Sequence, residues 1–402
     1  MSGPNETTAS SLPLQPPLQR SRQGRASTHP NRFLSNVGLL VASLFLICAL
    51  LEIASIPFLP PPIRWREPQE LYDHDPQLMH RLRPNQQSFT HAYPVSTNSY
   101  GLRERELPLK PDPGVFRILC LGDSLTFGNG VQFADTYPKQ LEVLLNGGGS
   151  RAYEVINAGV NAYDTWQEVE FFRRTAKDFE PRVVIIGFYA NDIVPRPKRI
   201  VTTVDASGFR RRVGVKGFLP NPIANLLRES RILLFLRQRY DLLANRITPS
   251  PEYRHESALL TGTPDDFVEA GWNEVERSLL QMTDLSHARD FQLLIVIFPM
   301  VDQLLRSYPS AAYPARLTNF AMKHGIRFLD LTSPFSREFT TLPSLFIEWD
   351  GHPNASAYAI TAREIRDYLR RHSMIPASPP GLTEAENASG SAVRQQRLTA
   401  ED

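Results

Sequence analysis

The longest hydrophobic stretch of the chain shows no amphipathic period at all. FLSNVGLLVASLFLICALLEIASI, residues 33–56, carries one acid, Glu52, and no base. Its length is about what a helix needs to cross the hydrocarbon core of a bilayer. Beyond residue 114 the pattern changes to short apolar runs separated by amphipathic stretches. The spacing predicts a strand over 116–121, a helix over 135–146, a strand over 153–157 and a helix over 165–178. PRVVIIGF, 181–188, predicts the next strand, and FQLLIVIF, 291–298, and IRFLDL, 326–331, predict two more, each after a helical stretch. NASAYAITAREIRDYLRRH, 354–372, predicts a closing amphipathic helix with Asn354 as its N-cap. Unbroken apolar strands are buried on both faces, and their alternation with helices calls for an α/β fold with a parallel central sheet. No internal repeat is present.

Two regions depart from that alternation. Residues 57–68 form a stiff proline-rich spacer, and 69–113 carry scattered turn signals that suit an irregular N-terminal cap. An insertion at about 196–265 holds a basic, Gly- and Pro-punctuated piece and then a leucine- and arginine-rich helix over about 222–246. The apolar residues of that helix spread around most of its circumference, which favours burial over membrane-surface binding. A packed excursion is the plain reading of this insertion, and a lid or partner surface the functional one. Residues 1–32 and 376–402 are poor in apolar residues and read as disordered tails.

Charge and cysteine content narrow the class. Lys+Arg 44 against Asp+Glu 42 leaves a formal net charge of +2, which offers no electrostatic basis for nucleic-acid binding. Two cysteines, Cys48 in the apolar segment and Cys120 in a core strand, exclude a disulfide framework. Arg20, Arg22, Arg25 and Arg32 precede the apolar segment, so a single-pass anchor would keep its N-terminus in the cytoplasm and send residues 57 onward across. A cleaved signal peptide is the competing reading. The long stretch before the segment and the lack of an A-x-A site favour the anchor.

Candidate chemistry lies at the ends of the predicted strands, where α/β sheets bind ligands. The strand 116–121 runs into GDSL, placing Ser124 in a tight turn. NAGVNAY follows at 157–163, YANDI at 189–193 and EWDGHPNASAY at 348–358. A serine in a polar turn can be merely that. With these partners it has what acyl transfer from an ester requires. His352 can act as the base that a weak hydroxyl nucleophile needs. Asp350 can fix its tautomer and stabilise the imidazolium. The N–H groups of Ser124 and Gly159 and the amide of Asn191 can meet the oxyanion. Asp123 is expected to brace the turn, while Asn161 and Asp192 adjoin the site without an assigned role.

Taken in order, Ser124 in GDSL, Gly159 in NAGVNAY, Asn191 in YAND and His352 in DGHPN resemble the four blocks of the SGNH or GDSL-type serine hydrolases, over about 114–372. That resemblance implies a flavodoxin-like three-layer α/β/α fold, no metal or other cofactor, and an acyl-serine intermediate. The common family pattern puts the acid three residues before the histidine, where this chain has Trp349. Asp350 stands two before, an arrangement known among membrane-associated bacterial relatives and sugar O-acetyltransferases, and Glu348 and Asp330 are alternative acids. Asp350 can alternatively be read as a cap on the final helix. The expected activity is an extracytoplasmic, membrane-anchored esterase acting on envelope carbohydrate or lipid esters. An O-acyltransferase with the same triad and a non-catalytic envelope scaffold are the alternatives. N-x-S/T sequons at Asn5, Asn354 and Asn387 add a hint of source. A glycan at Asn354 would obstruct the site, so a bacterial inner membrane with a periplasmic domain fits better.

Overall fold

A computed structural model describes residues 30–59, 71–90, 93–147, 152–193, 202–204, 210–212, 230–249, 251–263, 265–305, 312–347 and 350–376. By internal contacts the chain divides into Met1–Ala54 and Ser55–Asp402. The described residues of the first unit belong to helix α1 (Pro30–Ser55). Its stretch Leu34–Ser55, with mean hydropathy 2.6, is long and apolar enough to cross a membrane, and a signal sequence would share those properties. The expected tails fall almost wholly outside the described residues, apart from Pro30–Arg32, which begin α1, and Pro376.

In the second unit, two short hairpins come first, β1 (Tyr72–Asp75) with β2 (Met79–Leu82) and β3 (Gln87–Thr90) with β4 (Tyr93–Ser96). The first part of the region read as an irregular cap is therefore regular, whereas residues 97–113 hold only turns, bends and irregular chain, as expected. Four-residue strands rich in polar residues leave almost no period to detect.

Among the described residues, β5 (Phe116–Gly122), β6 (Tyr153–Asn157), β7 (Val183–Phe188), β10 (Gln292–Ile297) and β11 (Arg327–Asp330) form one parallel sheet. Its order, β11-β10-β7-β5-β6, is that of a flavodoxin-like sheet. Alternate strand residues feed two cores. Leu119, Leu121, Val184, Ile186, Ile295 and Ile297 pack with residues of α4 (Thr165–Arg174), α7 (Asp266–Arg289) and α9 (Ala312–Lys323). Ile118, Cys120, Val183, Ile185, Leu294 and Val296 pack with α3 (Tyr137–Leu145), α10 (Thr332–Glu338) and α12 (Ala355–Arg371). The result is the three-layer α/β/α architecture expected.

The helix foreseen over 165–178 breaks at Thr175 into a 3-10 turn, Ala176–Phe179. In the insertion, β8 (Thr202–Val204) and β9 (Arg210–Arg212) pair as a hairpin. Helices α5 (Arg231–Ile247) and α6 (Pro251–Thr261) follow, while the first part of the helix expected over 222–246 lies outside the described residues. The expected burial of α5 does not hold. Leu234 is buried, but Leu233, Leu236, Tyr240, Leu243 and Ile247 are exposed.

Candidate active site

The sheet's switch point lies between β5 and β7, the neighbouring strands whose connections leave in opposite directions. β5 ends on Gly122, at φ 154°, where a Cβ would sit 2.0 Å from Thr126 Oγ1 and 3.1 Å from the Gly187 carbonyl. Only glycine lets the chain turn here into α2 (Ser124–Phe127). Asp123 caps that helix by accepting from Leu125 N at 2.8 Å, as a brace of the turn should. Ser124 is the first residue of the helix, so its N–H has no intrahelical acceptor. α2 ends at Gly128, left-handed at φ 85°, whose N–H donates to the Ser124 carbonyl.

His352 arrives from 228 residues away. Its Nε2 lies 2.8 Å from Ser124 Oγ and its Nδ1 3.1 Å from Asp350 Oδ2. These contacts call for the tautomer protonated at Nδ1, which donates to Asp350 and leaves Nε2 to accept from the serine. The loop owes its shape to a bridge between Phe346 and Pro353, the Ile347 N–H on the His352 carbonyl, and a left-handed Gly351. Capping of α12 falls to Asn354, whose Oδ1 accepts from Ser356 N and Ala357 N, so Asp350 is not used as a cap. Asn354 Nδ2 donates to the Pro343 carbonyl, a bond that a glycan at this sequon would disrupt. Of the alternative acids, Asp330 accepts from Thr332 N at the end of β11, and Glu348 lies outside the described residues.

Asn191 stands in a 3-10 turn, Ala190–Asp192, directly after β7. Its Nδ2 donates to Asp123 Oδ2 at 2.6 Å, a link to the serine turn that the sequence does not announce. Gly159 differs from expectation. Its N–H donates to Asn157 Oδ1 at 3.1 Å rather than standing open for an oxyanion. Its evident role is steric, because a Cβ there would come within 2.3 Å of Phe127 N, inside α2.

Two further layers of support escaped the sequence reading. The first comes from the N-terminal cap. Arg103, 1% exposed, donates to the carbonyls of Phe127, Gly128 and Val131 at 2.9, 2.6 and 2.8 Å and stacks on the Phe127 ring. Burial lowers its guanidinium to about 10. Thr90 Oγ1 donates to Asn129 Oδ1 and accepts from Gly130 N, while Asn161 Nδ2 also reaches Asn129 Oδ1. His80 Nε2 lies 2.9 Å from the Asn161 carbonyl. The loops after β5 and β6 are thus held from outside the sheet. The second layer lies beneath the turn, where Asp123, Glu168 and Asp192 are all almost fully buried. Burial pushes all three carboxyls above their ordinary values. Mutual repulsion adds to this at Glu168 and Asp192, whereas the Asn191 amide opposes it at Asp123. Asp192 Oδ2 accepts from Tyr189 N, but both Glu168 oxygens lack a hydrogen-bond partner among the described residues. A group in that setting holds its proton.

The arrangement can deprotonate a hydroxyl, carry the proton on an imidazole and present N–H donors beside the reacting oxygen. Among the described residues no three His, Cys, Asp or Glu side chains converge as metal ligands.

Comparison with known proteins agrees with this chemistry. The family model of the GDSL-like lipase/acylhydrolases matches residues 120–360. Solved structures similar to this chain include a psychrotrophic esterase, EstA, from Pseudoalteromonas sp. (16% identity, 64% of this chain and 98% of that one, TM-score 0.36). Another is a GDSL-like lipase from Bacteroides thetaiotaomicron (13%, 64% and 88%, TM-score 0.33). A third is LAE5, an alpha/beta hydrolase enzyme from the metagenome of Lake Arreo (13%, 66% and 99%, TM-score 0.38). No curated protein matches. Because the family match spans more than half of the 402 residues and includes the serine turn and the histidine loop, the chain belongs to the GDSL-like lipase/acylhydrolase family and is a serine ester hydrolase.

Proposed function

We propose that Ser124 is the nucleophile, His352 the general base and acid, and Asp350 the residue that orients the imidazole. The observation that carries this reading is the continuous hydrogen-bonded line from Asp350 Oδ2 through His352 to Ser124 Oγ. Ser124 Oγ attacks the ester carbonyl as its proton passes to His352 Nε2. The tetrahedral oxyanion meets the Ser124 N–H and the Asn191 amide. His352 then hands the proton to the leaving alcohol oxygen as the C–O bond breaks, leaving an acyl-serine. Water attacks that ester by the same route in reverse, with His352 taking its proton and returning it to Ser124. Gly159 N–H joins the oxyanion donors only by releasing Asn157.

The substrate we assign is a carboxylic ester of envelope carbohydrate or lipid, met by a domain held outside the cytoplasm. The anchor is Leu34–Ser55, oriented by the arginines that precede it. The His352 side chain is 21% exposed, so water can reach the acyl-serine and complete the hydrolysis.

The test uses the full chain in detergent with a short-chain activated aryl ester and a serine-directed phosphonate. Turnover and labelling are expected, and both should vanish in Ser124→Ala. Unchanged activity in that variant would overturn the mechanism. Mass spectrometry of envelope esters incubated with and without a sugar acceptor then separates release of free acid from transfer.

A further inference from the structure

Helix α5 leaves one side uncovered. Leu233, Leu236, Tyr240, Leu243 and Ile247 are between 43% and 85% exposed. Their spacing alternates three and four, so at about 100° per residue they fall within an arc of about 80°. Leu234, away from this stripe, is buried in the domain. The borders of the stripe are basic, with Arg239 and Arg246 on one side and Arg237 on the other. Four arginines against the single acid Asp241 make the helix net positive.

The position of the helix in the chain identifies what covers it. Arg231, its first residue, donates from Nη1 to the Leu59 carbonyl at 2.8 Å. Leu59 comes four residues after Ser55, where the membrane-length apolar stretch ends. If that stretch spans a bilayer, residue 59 lies at the membrane surface, and the bond brings the start of α5 there too. A stripe with three-four spacing also suits a partner helix. The bilayer is nevertheless present wherever the anchor is, and a narrow apolar stripe flanked by arginines suits acyl chains below and phosphates at the headgroup level.

We propose that α5 lies in the membrane interface, with its leucine stripe in the acyl boundary and its arginines on anionic headgroups. It forms a second, non-spanning attachment that stops the catalytic domain from pivoting on its linker. This rests on the reading of Leu34–Ser55 as a membrane span, and the experiment tests the two separately.

Nitroxide labels are placed one at a time on the full chain with Cys48→Ser, Cys120 being buried. The sites are Leu46→Cys in the span, Leu236→Cys and Leu243→Cys on the stripe, and Val143→Cys, an exposed position on α3. Each protein is reconstituted into nanodiscs of equimolar phosphatidylcholine and phosphatidylglycerol, and collisions with oxygen and with a water-soluble nickel chelate are compared. Oxygen is expected to dominate at 46, 236 and 243 and nickel at 143. Nickel dominance at 236 and 243, with 46 still in lipid, overturns the proposal and leaves the anchor standing. Nickel dominance at 46 overturns the anchor. Shielding of 236 and 243 from both reagents, with spin–spin broadening lost on dilution with unlabelled chain, assigns the stripe to a second copy and also overturns the proposal.

Discussion

Replacing Asp350 by asparagine removes one charge from the side chain that faces His352 Nδ1 at 3.1 Å. In the ground state the imidazole is neutral, so this costs little binding. In the transition state it is an imidazolium, with its charge about 4 Å from that of the carboxylate. At an effective dielectric of about 20 the lost attraction is about 4 kcal/mol. The two side chains are 14% and 21% exposed, and solvent screening brings this to about 2–4 kcal/mol, or roughly 30- to 1000-fold in rate. An amide also presents an NH₂ that favours the wrong imidazole tautomer, which raises the expected total towards about 10⁴-fold. The assay is kcat and KM on a short-chain activated ester, normalised to active sites titrated with a phosphonate. kcat should fall while KM changes little, and Glu348→Gln should remain near wild type. A loss below about tenfold in Asp350→Asn, with a large loss in Glu348→Gln, would refute the reasoning and move the acid to Glu348.

Asn191→Ala removes a neutral donor beside the serine and should lower kcat by about 10²–10³, with a fall in Tm because the buried Asp123 carboxylate loses its amide partner; an unchanged kcat would exclude it from the oxyanion site. Arg103→Met strands three backbone carbonyls around α2 and should cost about 3–5 kcal/mol in denaturant unfolding, with kcat reduced more than KM; full stability would mean that the cap does not hold the serine turn. Glu168→Gln tests the buried acids. Because the Glu168 carboxyl is raised in the fold, the native state keeps a proton that the unfolded chain releases above its ordinary value of 4.5. That stability is present below this value and is lost as pH rises through the native one. Glutamine removes the titration, so the Tm advantage of the variant should grow from acid to alkaline pH. A pH-independent difference would show that Glu168 is ionised in the fold.

The parallel sheet was legible because its three inner strands, β5, β7 and β10, each hold a run of at least four apolar residues, and the strand ends point to Ser124, Asn191 and His352. Short-range chemistry was equally readable: Asn354 caps α12 and Asp123 caps α2 because an N-cap needs only a side-chain oxygen two or three residues before an orphan N–H. Contacts between distant segments left no comparable trace. Nothing in the sequence near Arg103 announces that its guanidinium closes the carbonyls of a loop some 25 residues away. Nor does the pattern around Gly159 reveal that its N–H turns to Asn157. The insertion helix shows the same limit. Periodicity reports which helix positions are apolar, but whether the domain or something outside it covers them depends on where the helix docks. Local periodicity and capping therefore determined the elements, the strand-end candidates and the apolar N-terminal segment. Tertiary structure alone decided what braces the serine turn and which side of α5 is left bare, because each depends on packing between segments far apart in the chain.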